Sequence, residues 1–244
     1  MNEVIMKNIE NKMLAEKEVF CEFLACFYNR GLCDVDCGYQ DENNFYYRRS
    51  GEKYGINDLF VYCNDVCCFE EVLHKFSDIK TVTVITPLDF DVDAYSAEWK
   101  VSFRRQFYKN KMYKASTTAG FTVLDASHAA IIGKSTSEIV KSNYNMAVEY
   151  QEDCFALLQE ELYCFASVSK NEKTKAVEVT WIYTEPQHRK NGFASKLLIE
   201  VSNFYLSNGY SVTYHCDQNN LASANTALKS DFTETVSEIV LEKL

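Results

Sequence analysis

Apolar residues recur at helical spacing through residues 2–30, where Val4-Ile5, Ile9, Met13-Leu14, Phe20, Phe23-Leu24 and Phe27 share one face. That spacing predicts a helix over the whole stretch, stopped at Gly31. Residues 33–58 are polar and rich in turn formers, and predict a hairpin around Phe45-Tyr46-Tyr47. Leu59-Phe60-Val61-Tyr62 and Thr81-Val82-Thr83-Val84-Ile85 read as strands. Between them a helix is expected over 66–76, capped by Asn64 or Asp65. Pro87 ends the second strand. The stretch 99–113 has no clear period: Arg104, Arg105, Lys109 and Lys111 interleave with Phe103, Phe107, Tyr108 and Tyr113. It reads as an amphipathic element with a solvated basic face.

From Gly120 the pattern is regular. Strands are expected at 121–124, 155–158, 162–168, 176–184, 211–216 and 232–241. Helices are expected from a cap at Asp125 or Ser127 through Ile132, then at 137–143, 145–152, 193–206 and 222–229. The order is β-α-α-β-β-β-α-β-α-β. The stripe Phe193, Leu197, Leu198, Val201, Phe204, Tyr205 is the core face of its helix.

With 244 residues and 47% hydrophobic content, the chain can bury one large core or two small ones. Only 2 prolines and 8 glycines argue against long flexible linkers. The net charge of −10 argues against a nucleic-acid partner, because a phosphate-tracking surface is basic. No apolar run reaches the ~18 residues needed to cross a bilayer. The N-terminus lacks the basic and apolar regions of a secretory signal, so a cytoplasmic location is expected, with the ten cysteines reduced.

Chemistry concentrates at Arg189-Lys190-Asn191-Gly192-Phe193-Ala194, between the strand at 176–184 and the helix at 193–206. Strand, short loop and helix start offer unpaired backbone N–H groups to a phosphate. Gly192 lets the backbone approach a bound group, and Arg189 adds a fixed positive charge. The R-x-x-G-x-A pattern after Tyr183-Thr184-Glu185-Pro186, with its element order, resembles the acyl-CoA pyrophosphate loop of the GNAT superfamily of N-acyltransferases. The resemblance covers about residues 116–244. It implies an α/β (α+β) fold with a mixed central sheet flanked by helices. A smaller α/β domain at 1–115 precedes it, and a degenerate copy of the same fold is one reading of that domain.

The resemblance also implies an acetyl-CoA co-substrate and no metal. The amides of Arg189, Lys190, Asn191, Gly192, Phe193 and Ala194 would hold the pyrophosphate, while Ile182 and Thr184 would pair with the pantetheine arm. Asn220-Leu221-Ala222-Ser223, with Phe232 twelve residues after Asn220, resembles the family's N-x-A segment, so Asn220 would also bond the arm. Two positions depart from the family pattern. Ala227 stands where many members carry a tyrosine that protonates the leaving thiolate, and Asp231 replaces a glycine.

Attack of an amine on a thioester calls for a general base. Glu178 is one candidate, on a strand face that regular alternation shares with Thr180, Ile182 and Thr184. His215 is the other. The plain alternatives are an exposed strand glutamate and a satisfied histidine. His188 reads as a loop-surface residue, and His128 has no assigned chemistry. The spacing of Cys33, Cys37, Cys63, Cys67 and Cys68 is looser than zinc knuckles, so free thiols are expected. Arg48-Arg49-Ser50-Gly51-Glu52-Lys53 only echoes the phosphate loop, since lysine occupies the small-residue position.

The sequence therefore points to an N-acetyltransferase for a small-molecule or protein amine. The N-terminal half would shape the acceptor pocket or a homodimer contact, with no nucleic acid or membrane partner. The alternatives are an acyl-CoA-binding sensor without turnover and an interaction protein without cofactor.

Overall fold

The computed structural model of the protein describes residues 3–17, 19–20, 23–24, 27, 34–51, 56–86, 98–110 and 120–244. Gly31, Cys33, Lys53, Pro87, Lys111 and Tyr113 lie outside the described residues. The chain packs as two units: residues 1–107 with 216–219 and 235–244, and residues 108–215 with 220–234. The last ten residues thus pack with the N-terminal unit, although the sequence places them after the expected boundary near 115.

In the first unit, α1 (Glu3–Ala15) precedes strands β1 (Asp34–Asp41), β2 (Asn44–Gly51) and β3 (Ile56–Tyr62). These are followed by α2 (Val66–Lys75), β4 (Thr81–Thr86) and β5 (Trp99–Asn110). The final strand β11 (Phe232–Lys243) runs antiparallel to β4, with Ile239 opposite Val84. The β1–β2 hairpin turns where Asp41 accepts from the Asn43 amide at 2.7 Å. Phe45, Tyr46 and Tyr47 lie within β2 rather than in the turn.

Strand β3 buries both faces. Phe60 and Tyr62 pack on one side with Ile9, Met13, Phe20 and Phe23, and Leu59 and Val61 pack on the other with Phe69 and Val72 of α2. α1 stops at Ala15, where the Val19 and Phe20 amides both turn back to the Glu16 carbonyl. The helix expected over 2–30 is therefore broken: apolar spacing records which side chains are buried, not whether the backbone runs unbroken.

The ambiguous stretch at 99–113 is a strand over its described part. Its basic face is not merely solvated, because Arg105 forms an ion pair with Glu238 of β11, which is 1% exposed. Arg48 and Arg49 lie in β2 and bond Asp78 and Asp58 at 2.7 and 2.6 Å. The phosphate-loop echo is therefore strand sequence.

In the second unit, β6 (Thr122–Val123) is shorter than the strand expected at 121–124. Asp125 then caps a 3-10 turn through a capping box with His128, and Ala129–Ile132 adds one helical turn. The two helical pieces expected at 137–152 are one helix, α3 (Glu138–Tyr150), with Ser137 as N-cap. Then come β7 (Cys154–Leu158), β8 (Leu162–Asn171), β9 (Ala176–Thr184), α4 (Phe193–Ser207), β10 (Ser211–Asp217) and α5 (Leu221–Lys229). The strand order is β10-β9-β8-β7-β6, antiparallel except for the parallel β9–β10 pair. α3 covers one face through Val140, Tyr144 and Ala147 against Ala156 and Phe165. α4 buries Leu197, Leu198, Val201 and Tyr205, and the Tyr205 ring meets that of Phe155 at 5.8 Å.

Candidate functional site

Register in the second unit creates a groove. β9 and β10 pair from Ala176/Ser211 to Val179/Tyr214 and no further, although β9 runs on to Thr184 and β10 to Asp217. The cause lies on the other edge of β9. Ser167 of β8 pairs with Trp181 while Val168 pairs with Val179, which leaves Thr180 as an extra residue. Such a bulge bends its strand and raises its twist. The Thr180 hydroxyl pins the bend by donating to the Ser167 carbonyl at 3.2 Å. Past the bulge, β9 diverges from β10.

The bulge also overturns the expected strand face of Glu178. Glu178 opposes Ser169 and Trp181 opposes Ser167, so these belong to one alternation of β8. Ile182 and Thr184 oppose Ala166 and Cys164, of the other alternation. Glu178 therefore shares a face with Trp181 and Tyr183, not with Ile182 and Thr184. The extra residue switches parity, and no hydrophobic pattern announces it.

The opened strands and the α4 and α5 ends enclose a cavity of about 590 Å³. Ile182, Thr184, Arg189, Lys190, Gly192, Phe193, Ala194 and Asn220 all line it. Asn191 does not; its side-chain amide donates within the loop to the His188 carbonyl at 3.3 Å. Glu178 and His215 also lie outside the lining. The sequence reading missed Tyr214, Ser223, Thr226 and Lys229. The last three follow an i, i+3 polar face of α5, a readable signal, whereas Tyr214 was hidden in an ordinary strand pattern.

The loop is held from beneath. Glu185, 2% exposed, accepts from the Thr136 hydroxyl at 2.6 Å, the Thr136 amide at 3.2 Å and the Ser135 hydroxyl. Its own amide donates to Tyr163. Pro186–His188 forms a 3-10 turn. His188 is packed rather than simply exposed: its Nε2 lies 3.0 Å from Glu161, and its ring sits 4.5 Å from that of Tyr163. Arg189 donates to the Thr184 carbonyl at 3.2 Å and lies over the Tyr183 ring.

Lys190 and Gly192 adopt φ values of 65° and 77°. Left-handed residues turn successive N–H groups into one concavity, which suits an anion. A Cβ at Gly192 would meet nothing within 4 Å, so glycine is needed here for conformation rather than space. No side chain caps α4, and among the described residues the amides of residues 190–195 donate to no other group of the chain. With Arg189, Lys190 and Lys229 lining the cavity, these donors fit a diphosphate in an otherwise acidic protein.

Asn220 caps α5, its side-chain oxygen accepting from the Ser223 amide at 3.1 Å, which leaves its NH₂ group for a ligand. Asp231, in the glycine position of the family segment, has φ 62°, the conformation that makes glycine common there. Ala227 is 0% exposed and faces the core.

On the opposite alternation, the Glu178 carboxylate lies directly against Nδ1 of His215, with Glu178 2% exposed. The thiol beside the groove is Cys164, which accepts from the Thr184 hydroxyl at 3.4 Å; burial pushes it up to about 12. It is protonated at neutral pH and cannot serve as an acyl-carrying nucleophile. Cys37, Cys63, Cys67 and Cys68 are free thiols, and no helix among the described residues is long and apolar enough to cross a membrane.

A mixed sheet parted between two parallel strands, with an uncapped helix start at the mouth, defines a protein that can hold an extended, diphosphate-bearing molecule. The chain belongs to the acetyltransferase (GNAT) family, whose profile matches residues 97–232, more than half of its length. The fold is similar to that of a GNAT-family acetyltransferase from Colwellia psychrerythraea, with a TM-score of 0.58 at 12% identity over 96% of both chains. It is also similar to a functionally unknown conserved protein from Staphylococcus epidermidis, with a TM-score of 0.51 at 8% identity over 86% of this chain and 94% of that one. A GCN5-related N-acetyltransferase-like protein from Streptococcus suis superposes with a TM-score of 0.50 at 12% identity, covering 96% and 99%. No curated protein sequence matches the chain.

Proposed function

We propose that the protein transfers an acetyl group from acetyl-CoA to a primary amine by direct attack in a ternary complex. The observation that carries this reading is the row of unspent amides at residues 190–195 where the parted strands meet the start of α4. They supply donors for the diphosphate, and Arg189 and Lys190 neutralise it. The edge of β9 from Ile182 to Thr184 pairs with the pantetheine arm, helped by the NH₂ group of Asn220. A β9 amide beyond the bulge donates to the thioester oxygen as charge grows there.

The amine approaches from the face of Glu178. Glu178 is a positioning residue: its carboxylate holds Nδ1 of His215, which aims Nε2 at the incoming amine. His215 takes the proton as the C–N bond forms. No acyl-enzyme step is needed, consistent with the inert Cys164.

Titration with CoA tests the reading. At a hundredfold excess over Kd, binding should stabilise the fold by about 2.7 kcal/mol. Release of thiol from acetyl-CoA against a panel of small amines and N-terminal peptides should then identify an acceptor. The second reading, a sensor that binds without turnover, draws on the buried Ala227, which leaves the usual proton-donor position empty of chemistry. Tight CoA binding with no thiol release on any acceptor would favour it.

A further inference from the structure

The groove carries a proton donor of its own. We infer that Tyr214 of β10 donates the proton to the departing CoA sulfur, with Ser223 of α5 as its relay; this rests on the acyl-CoA reading of the groove.

Ala227 carries no proton to give and is fully buried, so the donor must come from another residue. A donor to a thiolate must be an acid not far weaker than a thiol. A phenol, at about 10, qualifies, while an alcohol is a far weaker acid. That removes Thr184, Ser195 and Thr226 from the lining as primary donors. Of the two lining phenols, Tyr183 shares the face of Glu178 and bonds the Thr136 hydroxyl at 3.1 Å, beside the Glu185 anchor. Tyr214 remains.

Its position is fixed by register. Tyr214 opposes Val179, the last paired residue before β9 bends away. Its side chain therefore stands where the gap between the strands begins, on the alternation of the groove. The ring packs against Phe232 at 6.3 Å between centroids. Its hydroxyl shares a hydrogen bond with the Ser223 hydroxyl, in the first turn of α5, and both residues line the cavity.

The direction of α5 places the two ends of the bound molecule. Ser230, just past the helix, donates to the Ser195 carbonyl at 3.2 Å, so the Lys229 end lies by the phosphate donors of α4. The Asn220–Ser223 end lies by Tyr214 and takes the thioester end. Lys229 is thereby assigned to the diphosphate and Tyr214 to the sulfur.

The step balances. The amine nitrogen forms the C–N bond, the C–S bond breaks, and its electron pair goes to sulfur. Tyr214 Oη gives that sulfur its proton. The phenolate is reprotonated by the Ser223 hydroxyl, which takes a proton from water. The proton lost by the amine resides on His215.

CoA itself is the probe, so no acceptor is needed. The thiol of bound CoA is titrated by thiolate absorbance in the wild type, Tyr214→Phe and Ser223→Ala, with affinity measured by calorimetry. A donor to the sulfur stabilises the thiolate, so Tyr214→Phe should leave roughly tenfold less thiolate at a given pH, about one unit in the titration. Ser223→Ala keeps the phenol and should titrate as wild type. Two results overturn the assignment: unchanged titration in Tyr214→Phe with CoA bound, or a shift in Ser223→Ala as large as in Tyr214→Phe, which marks the pair as packing only. If the wild type binds no CoA, the acyl-CoA reading falls first and takes this one with it.

Discussion

Tyr214 and His215 are neighbours in β10, yet they serve opposite faces of the parted strands. Tyr214 enters the groove beside Ser223, whereas His215 meets Glu178 on the other alternation. Successive strand residues point to opposite sides, so in the proposed reaction two adjacent positions would set an acid and a base across one gap. That separation suits an acyl transfer, in which a proton leaves the amine on one side and another reaches sulfur on the other.

Gly192 sits at φ 77° with open space around its α-carbon. Gly192→Ala should cost about 1–2 kcal/mol of stability, the penalty of a left-handed alanine, or else relax the turn and misdirect its amides. CoA affinity should fall roughly tenfold while the fold persists. Calorimetry and urea denaturation on the same variant check both halves; unchanged affinity would remove the amides from the binding account.

Arg189 combines a charge, a bond to the Thr184 carbonyl and a stack on Tyr183. Arg189→Lys keeps the charge and loses the fork, so it should recover only part of the affinity lost in Arg189→Ala, about tenfold at low salt. Affinity of the wild type should weaken as salt is raised, and that of Arg189→Ala should weaken less. Equal salt slopes would place Arg189 outside the phosphate contacts.

His215→Ala should lower kcat by about a hundredfold or more with the CoA dissociation constant unchanged. It also removes the group that faces the buried Glu178 carboxylate, which should cost about 1–3 kcal/mol of stability. The Glu178→Gln/His215→Ala double variant removes that carboxylate and should be the more stable of the two, without regaining activity. Thermal melts alongside kinetics on an acceptor found by the amine panel separate the two effects. Wild-type kcat in His215→Ala would exclude it as the base.

Burial pushes the thiols of Cys63 and Cys164 up to about 12. Below the thiol range both folded and unfolded chains keep these protons, so the thiols exert no pH effect. Between the unfolded value, 9.0 for these groups, and about 12, only the unfolded chain loses them. Stability must therefore fall as pH rises, by about 1.4 kcal/mol per unit for each thiol at full effect. Melting temperature followed from pH 8 upward, roughly across that window, should decline, and Cys164→Ala should flatten the decline. An unaltered slope would show that other groups govern alkaline unfolding.

Much of the second unit was legible because its elements are local. The expected strand at 176–184, the helix from Phe193 and the loop between them lie where their periodicity and glycine put them. The short turn before α4 follows from Pro186, Gly192 and the absence of a capping side chain, all properties of residues close together. α3 was read as two pieces because Ser142, Asn143 and Asn145 interrupt its apolar stripe, yet such residues sit in a helix when neighbours bury its other face. The N-terminal helix failed the other way: its apolar spacing runs on past Ala15, but the backbone leaves the helix for a turn there, and Phe23, Leu24 and Phe27 are helical again.

The sequence by itself determined the order of elements from Cys154 onward and the placement of the glycine turn before α4, because both depend on residues within a few positions of one another. Tertiary structure alone decided which side chains share a face and which enter the groove. The extra residue at Thr180 exists only relative to its partner strand, and it sends Glu178 away from Ile182 and toward His215. Tyr214 gained its place from the last rung of the β9–β10 ladder and from Ser223 nine positions later on another element. Pairing register and packing between distant segments carry that information, and no local pattern encodes it.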